Sequence, residues 1–146
     1  MINILSGDLF KSNCQTIVNT VNCVGAMGKG IALEYKRRYP DMYKKYYHYC
    51  SLGLIEPGKL WIYRTEEKWV LNFPTKLHWK NPSEIKYLED GLKKFVDTYK
   101  NQGVTSIAFP LLGASNGGID PKVSLEIMCK YLSDCEILVE IYDNSN

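Results

Sequence analysis

The segment IVNTVNCVGAMGKGIA, residues 17–32, combines three kinds of local pattern without a break. Its first part, residues 17–21, is rich in β-branched side chains and is typical of a buried strand. Three glycines then fall within residues 22–30, which we call the first glycine loop. A helix is predicted to begin within residues 28–31 and to end near Tyr39, because a proline follows and disfavours helical geometry in the residue before it. This order of strand, loop and helix indicates an α/β protein.

A second segment, PLLGASNGG at residues 110–118, repeats that arrangement and is called the second glycine loop. It follows a β-rich run and precedes a helix for which Asp120 is the expected N-cap and Pro121 the first residue. A helix N-terminus presents unpaired N–H groups and the positive end of a dipole, and glycines let the backbone approach a phosphate closely. Two such loops can clasp a diphosphate.

Neither loop matches the familiar phosphate motifs. Gly28 and Lys29 are followed by Gly30 rather than by Ser or Thr, and neither loop contains G-x-G-x-x-G. These departures disfavour a nucleoside triphosphatase and a dinucleotide-dependent dehydrogenase.

The remaining elements fit the same class of fold. A helix is predicted at residues 82–100, with Asn81 as cap, Pro82 at its first position and Gly103 at its exit. From residue 41 another helical turn or two is expected. The other β-rich runs lie at residues 3–5, 60–63, 69–73, 106–109 and 137–142. The 146 residues, 45% of them hydrophobic, suit one domain spanning residues 1–146, and the polar residues after Asp143 are expected to fray.

Charge and composition exclude several classes of function. Lys and Arg number 18 against 16 Asp and Glu, and the net charge of +2 is too small for a general electrostatic grip on duplex nucleic acid. The segment KRRYPDMYKK, residues 36–45, is either a local basic patch or a solvated helix face. No apolar run approaches the roughly 20 residues of a membrane span. We therefore expect a cytoplasmic protein that does not contact a membrane.

The cysteines and histidines give no pattern for a disulfide framework or a metal site. Five cysteines occur without a C-x-x-C pair, which fits reduced thiols. Neither His48 nor His78 stands at a helical ligand spacing from a second ligand. We expect no metal and no cofactor.

Four motifs together resemble the macrodomain family. They are GDL at residues 7–9, IVNTVN at 17–22, GAMGKGIA at 25–32 and the second glycine loop, and the match covers nearly the entire chain. The resemblance implies a three-layer α/β/α fold with a central mixed β-sheet. It also implies a ligand channel across the carboxyl ends of the strands, the usual position in open α/β sheets.

Within that family, the pairing of MGKGIA at residues 27–32 with NFPTK at residues 72–76 resembles the DarG type, which removes ADP-ribose from DNA. It is also similar to the terminal ADP-ribose protein glycohydrolases. The resemblance implies that Lys76 is catalytic, whereas an isolated lysine near a strand end is usually a solvated charge. Cleavage at the anomeric carbon passes through an oxocarbenium-like state that an unprotonated amine can capture.

An ordinary lysine has a pKa near 10.4, so the chemistry requires an environment that lowers it. We expect Phe73, Leu77 and Trp79 to desolvate the amine. Trp79 and His78 are also candidates for contact with a nucleobase, because aromatic rings offer stacking surfaces to single strands. Packing within the protein is the alternative for both side chains.

The resemblance further implies a set of ligand-binding residues. Asp8 would accept a hydrogen bond from the adenine amino group, with Leu9 contributing its backbone; the alternative for Asp8 is a cap on the segment that follows it. Asn22 would face the distal ribose or bond the turn backbone. The side chain of Lys29 either contributes or points into water. The full set is Asp8, Leu9, Asn22, Met27, Gly28, Lys29, Gly30, Ile31, Thr75, Gly113, Ser115, Asn116, Gly117 and Gly118.

One departure from the family pattern bears on the substrate. The terminal protein glycohydrolases place a catalytic aspartate in their second glycine loop, and the matching position here is Gly117. Asp120 is expected to cap the last helix instead. The sequence Asn-Gly-Gly at residues 116–118 is more similar to the DarG type and favours a nucleotide-linked substrate over a glutamate ester.

The function expected from these patterns is an ADP-ribosyl hydrolase that acts on ADP-ribosylated single-stranded DNA, modified on thymidine. The partner implied by the resemblance is a cognate ADP-ribosyltransferase toxin. A non-catalytic ADP-ribose reader is one alternative. A hydrolase of O-acetyl-ADP-ribose or of glutamate-linked ADP-ribose is another.

Overall fold

The structure is a computed structural model that describes residues 1–145, so Asn146, the last residue of the predicted domain, lies outside the described residues. The elements in chain order are β1 (Ile2–Leu5), a 3-10 helix (Leu9–Lys11), β2 (Thr16–Val21), α1 (Gly30–Arg38), α2 (Pro40–Ser51), β3 (Trp61–Arg64), β4 (Trp69–Pro74), α3 (Ile85–Gln102), β5 (Ser106–Pro110), α4 (Pro121–Leu132) and β6 (Leu138–Tyr142). None of the helices in this part of the chain has the length and apolarity to cross a bilayer.

The six strands form one sheet in the order β1-β6-β5-β2-β4-β3. All neighbouring pairs are parallel except β3 and β4, which are antiparallel. Val21 pairs with Pro74 and Pro110 pairs with Tyr142. The carboxyl ends of β2, β4, β5 and β6 therefore lie along one edge of the sheet.

Two separate cores cover the two faces of the sheet. On one face α1 and α2 bury Tyr35, Met42 and Tyr46. On the other face α3 and α4 bury a core that includes Phe95 and Met128. The expected three-layer α/β/α fold with a central mixed sheet is confirmed.

The six predicted strands and the last helix are confirmed to within two residues. Asp120 caps α4 by accepting a hydrogen bond from the backbone N–H of Lys122 at 2.8 Å, and Pro121 is its first residue. Gly103 ends α3 in the left-handed conformation with φ of 85°. Local sequence decides each of these boundaries.

The predicted start of α3 is wrong. The helix begins at Ile85 rather than Pro82, and Asn81 donates its backbone N–H to the carbonyl of His78 instead of capping a helix. The residue before the helix, Glu84, is extended, with φ of −115° and ψ of 145°. The backbone N–H of Ser83 donates to the carbonyl of Gly117 at 2.9 Å, so this segment contacts the second glycine loop before the helix begins.

The segment after Tyr39 is more helical than predicted. Instead of a turn or two, α2 has 12 residues and begins with Pro40 at its first position, where the missing N–H of proline does no harm. Met42 and Tyr46, four residues apart, are fully buried on its inner face. Burial of that aromatic face, rather than helix propensity, stabilises the element.

Candidate active site at the carboxyl edge of the sheet

A cavity of about 790 Å³ opens at the carboxyl edge of the sheet. Its volume lies within the range of roughly 300–1,000 Å³ that is usual for small-molecule sites. Eleven of the predicted site residues line it: Asn22, Gly28, Lys29, Gly30, Ile31, Thr75, Lys76, Gly113, Ser115, Asn116 and Gly117. The fold thus brings both glycine loops and the end of β4 to one place.

The first glycine loop is held by buried side chains beneath it. Asn22 accepts hydrogen bonds from the backbone N–H groups of Val24 and Ala26 at 3.1 and 3.3 Å, and donates to the Ala26 carbonyl at 2.8 Å. The hydroxyl of Tyr46 lies 2.8 Å from both the backbone and the side-chain oxygen of Asn22. Burial raises the pKa of Tyr46, so its hydroxyl stays a donor. In this structure Asn22 therefore bonds the turn backbone, the second of its two expected roles.

The first glycine loop runs directly into α1, whose N-terminus faces the cavity. The N-cap residue, Lys29, makes no side-chain capping bond, and Gly30 takes a left-handed conformation with φ of 58°. Gly30, Ile31 and Ala32 line the cavity wall. Unpaired N–H groups and the positive end of the helix dipole make this wall an anion-binding surface.

The second glycine loop is folded tightly on itself. Ile119 donates its backbone N–H to the Gly113 carbonyl at 3.0 Å. At Gly117 a Cβ atom would lie 2.3 Å from the Gly113 oxygen and 2.4 Å from the Ser83 hydroxyl oxygen. Only glycine fits there, which gives a steric reason for the missing carboxylate at this position.

The two glycine loops meet across the cavity. A Cβ atom on Gly30 would lie 3.0 Å from the side-chain nitrogen of Asn116. The loops are therefore in contact range at this point, as a clasp around a diphosphate requires.

Lys76 projects from the end of β4 to the second glycine loop. Its Nζ donates to the Asn116 carbonyl at 2.7 Å and lies 3.4 Å from the carbonyl of Trp79. The main chain just before it is fixed, because the backbone N–H of Thr75 donates to the Val21 carbonyl at 2.9 Å. The ammonium group is thus held at the cavity wall by backbone carbonyls.

Cys23 ties the first glycine loop to the Lys76 segment. Its backbone N–H donates to the Leu77 carbonyl at 3.1 Å, and its thiol lies 3.3 Å from the carbonyl oxygen of Lys76. Burial is the main cause that raises the pKa of the Cys23 thiol to about 12. This thiol stays protonated near neutral pH and acts as a packing group.

Two of the three apolar neighbours expected to desolvate Lys76 are themselves exposed. Leu77 and Trp79 are 49% and 51% exposed, whereas Phe73 is fully buried in the core on the α3 side. The Leu77 and Trp79 side chains turn outward because the residues beyond Thr75 leave the sheet and form an exposed turn. Trp79 nevertheless lines the mouth of the cavity. Desolvation of the amine stays a prediction.

Four predicted binding residues do not line the cavity: Asp8, Leu9, Met27 and Gly118. Asp8 accepts a hydrogen bond from the backbone N–H of Phe10 at 2.9 Å and so caps the 3-10 helix, which is the alternative expected from the sequence. Leu9 and Met27 are buried, with 5% and 1% of their surface exposed, because their apolar side chains pack into the core beneath α1 and α2. A ligand role for these four positions stays a prediction.

The expectation of a frayed end after Asp143 is wrong for Asn144, while Asn146 lies outside the described residues. The side-chain oxygen of Asn144 accepts a hydrogen bond from the backbone N–H of Gly7 at 2.7 Å, and its side-chain nitrogen donates to the Gly7 carbonyl at 2.9 Å. The backbone N–H of Asp143 donates to the Leu5 carbonyl. Asn144 and Ser145 line the cavity next to the turn that carries Asp8. The sequence held no signal for this contact, because it arises only when β6 pairs with β1.

Trp79, a candidate for nucleobase contact from the sequence, lines the cavity. Other lining residues were missed from the sequence: Thr20, Val21, Ala26, Ala32, Pro110, Leu111, Ala114, Pro121 and Tyr142. Most have small or apolar side chains, which define the shape of the cavity and offer no reactive group. Their positions at strand ends, in the glycine loops or in the first turns of α1 and α4 were the available signal.

The charge of the cavity favours an anionic ligand. Among the described residues that line it, Lys29 and Lys76 are basic and none is acidic. The basic segment 36–45 lies elsewhere, on α1 and α2, where the Lys36 ammonium sits 4.3 Å from the centre of the Tyr43 ring. The fold and the cavity together define an α/β protein whose site suits a nucleotide-sized ligand with a diphosphate.

Comparison with known sequences is consistent with that class. The family described as Macro domain matches residues 18–128, and the chain belongs to this family. It is 44% identical, over 82% of its length, to a Mycobacterium tuberculosis protein named DNA ADP-ribosyl glycohydrolase. It is 39% identical, over 97% of its length, to a Thermosipho africanus protein named DNA ADP-ribosyl transferase-DNA ADP-ribosyl glycohydrolase fusion protein. The chain spans 35% and 41% of the length of these two relatives.

Comparison with solved structures gives the same family. The macrodomain of Mycobacterium tuberculosis DarG superposes with a TM-score of 0.95 at 39% identity, over 99% of each chain. The macrodomain of Thermus aquaticus DarG gives 0.92 at 38% identity, over 98% of each chain. Thermosipho africanus DarTG, solved in complex with ADP-ribose, gives 0.93 at 40% identity over 97% of this chain and 41% of that one. The expected likeness to DarG-type macrodomains is confirmed.

Proposed function

We propose that this chain binds ADP-ribose and hydrolyses it from a modified target, namely thymidine in single-stranded DNA. The observation that carries the proposal is the position of Lys76, whose Nζ donates to Asn116 of the second glycine loop at 2.7 Å at the wall of a cavity that both loops line. The names of the similar proteins, DNA ADP-ribosyl glycohydrolases, support the same activity.

The diphosphate is proposed to bind where the two glycine loops meet. The uncapped N-terminus of α1 supplies backbone N–H groups from Gly30 and Ile31, and the absence of acidic side chains from the described lining removes charge repulsion. The adenosine end then points toward the turn that Asn144 holds beside Asp8. The distal ribose lies toward Asn22 and Lys76.

Lys76 is proposed to act at the anomeric carbon of the distal ribose. As the bond from that carbon to the thymine nitrogen breaks, positive charge develops on the sugar and the departing nitrogen takes up a proton from water. An unprotonated Lys76 amine captures the carbon as a substituted ammonium. The hydroxide left by that water then attacks the carbon, which gives ADP-ribose and frees the neutral amine. A charged Lys76 would instead assist electrostatically by contacting the departing base. In either role its bond to the Asn116 carbonyl has to open first.

The substrate preference follows from the second glycine loop. A carboxylate at position 117 is excluded by the 2.3 Å approach of a Cβ atom to the Gly113 oxygen. The loop therefore offers no acid group for glutamate-linked ADP-ribose. We propose that nucleotide-linked ADP-ribose is the better substrate, that a cognate ADP-ribosyltransferase produces it, and that both proteins act in the cytoplasm.

The test is a comparison of turnover and binding in one pair of lysine variants. Lys76→Ala is expected to lower kcat on an ADP-ribosylated thymidine oligonucleotide by at least about 100-fold. Lys93→Ala, which removes an exposed lysine on α3 away from the cavity, serves as the matched control and should retain wild-type turnover. Free ADP-ribose should still bind Lys76→Ala, as measured by calorimetry.

Three outcomes would change the assignment. Wild-type turnover by Lys76→Ala would remove Lys76 from the chemistry. Binding of ADP-ribose without turnover by the wild-type protein would identify a reader module instead of a hydrolase. Faster release from a glutamate-linked peptide or from O-acetyl-ADP-ribose than from the oligonucleotide would replace the proposed substrate.

A further inference from the structure

Trp79 is a large aromatic side chain exposed beside the candidate catalytic group. It lines the mouth of the cavity and leaves 51% of its surface in solvent. Its own carbonyl lies 3.4 Å from the Nζ of Lys76. Exposing an indole ring to water is unfavourable, so a partner that covers it would gain the free energy of burial.

The turn that carries Trp79 is fixed rather than loose. His78 accepts a hydrogen bond from the backbone N–H of Lys80 on its ring Nδ1 at 3.1 Å, and its carbonyl accepts from Asn81 at 3.0 Å. The ring centres of His78 and Trp79 lie 5.3 Å apart with 35° between the planes. His78 therefore packs and hydrogen-bonds within the turn, which preorganises the Trp79 ring for contact with a ligand.

The other two tryptophans, like Trp79, contact neighbouring side chains, but they are more deeply buried. Trp61 makes an edge contact with Tyr49 at 5.0 Å between ring centres, and the guanidinium of Arg64 lies 4.6 Å from the Trp69 ring. Both are only partly exposed and neither lines the cavity. Trp79 alone among the three combines exposure with a position at the site.

The charges around Trp79 match a nucleic acid strand. The Lys80 ammonium lies 5.2 Å from the centre of the Trp79 ring, and Lys76 stands on the inner side of the same turn. A ring with adjacent cations suits a base that stacks and a phosphate that follows it. An unpaired base is needed, because bases within a duplex are already stacked on their neighbours.

We propose that Trp79 is a nucleobase platform that stacks a base next to the modified nucleotide and thereby makes the site prefer ADP-ribose on a single strand over free ADP-ribose. This inference rests on the proposed function, because it names the determinant of its substrate class. Lys80 contacts the phosphate on the far side of the stacked base.

The test measures binding in Lys76→Ala, so that the modified strand is not consumed. The probes are free ADP-ribose and a single-stranded oligothymidine carrying one ADP-ribosylated thymidine. With Trp79 present, the oligonucleotide should bind about 10-fold more tightly than free ADP-ribose, within the range that base–aromatic stacking contributes. Trp79→Ala should abolish this difference while changing the Kd for free ADP-ribose by less than about twofold.

Two further variants separate stacking from folding. Trp79→Phe keeps a ring and should retain most of the preference. Leu54→Ala, which truncates a side chain that is 52% exposed outside the cavity, should leave both Kd values unchanged. An ADP-ribosylated glutamate peptide should show no dependence on Trp79.

The proposal is overturned if Trp79→Ala weakens free ADP-ribose and the oligonucleotide equally, if the preference persists without the ring, or if the peptide shows the same dependence. Failure of the proposed function would give a different result. The protein with Lys76 intact would then release no ADP-ribose from the oligonucleotide, and the binding comparison would still test the role of Trp79.

Discussion

The two glycine loops reach the same cavity by different means. The first glycine loop is supported from below by buried polar side chains, above all Asn22 and Tyr46. The second glycine loop is supported by its own close packing, in which Gly117 contacts Gly113 and Ser83 too closely for any side chain. One loop depends on hydrogen bonds to its backbone and the other on the absence of a Cβ atom.

The helices behind the two loops differ as well. α1 begins at Gly30 without a side-chain cap, whereas the N-terminus of α4 is occupied by the carboxylate of Asp120. The first glycine loop therefore leads to the stronger anion site. The second contributes the carbonyl of Asn116 that holds Lys76. In the proposed function, phosphate binding and the positioning of Lys76 are therefore divided between the loops.

The largest difference between the two loops is expected when one glycine in each is replaced by alanine. Gly117→Ala should lower the free energy of unfolding by about 3 kcal/mol, because the methyl carbon would overlap backbone and hydroxyl oxygens. Gly28→Ala is the matched change in the first glycine loop, and it should alter stability by less than about 0.5 kcal/mol because a Cβ there meets nothing within 4 Å. Denaturant unfolding measures both. Equal losses would show that the loops do not differ in this way.

A smaller effect is expected from the polar support of the first glycine loop. Asn22→Ala should lower the free energy of unfolding by about 2 kcal/mol, because the backbone N–H groups of Val24 and Ala26 lose their acceptor. Tyr46→Phe removes one donor and should lower it by about 1 kcal/mol. Denaturant unfolding again provides the measurement. A stability loss below about 0.3 kcal/mol for Asn22→Ala would mean that the loop does not depend on this side chain.

The sequence predicted the parts of the fold that local patterns determine. The strand ending at Val21 and the helix starting at Pro121 follow from side-chain branching and capping. The start of α3 was wrong: Glu84 is extended, and Ser83 before it is bonded to Gly117, 34 positions further along the chain, a contact that no local pattern encodes. The expected cap Asn81 and the proline after it had placed the start three residues too early.

The candidate site, like the fold, was predictable where its residues lie in contiguous motifs and not where they meet through long-range contacts. The order of strand, glycines and helix located both glycine loops, and the family resemblance singled out Lys76. Asn144 was missed, since its bonds to Gly7 cross from one end of the chain to the other. The exposure of Trp79 was also unpredictable, because an aromatic residue close to a strand end is more often packed than open.

The most direct test of the account is a titration with ADP-ribose followed by amide ¹H–¹⁵N spectra. The amide signals of Gly30 and Ile31 at the start of α1, and of Ser115 and Gly117 in the second glycine loop, are expected to shift together and saturate with one Kd. Shifts confined to one loop, or to residues outside the cavity, would contradict the claim that the two glycine loops close around one diphosphate.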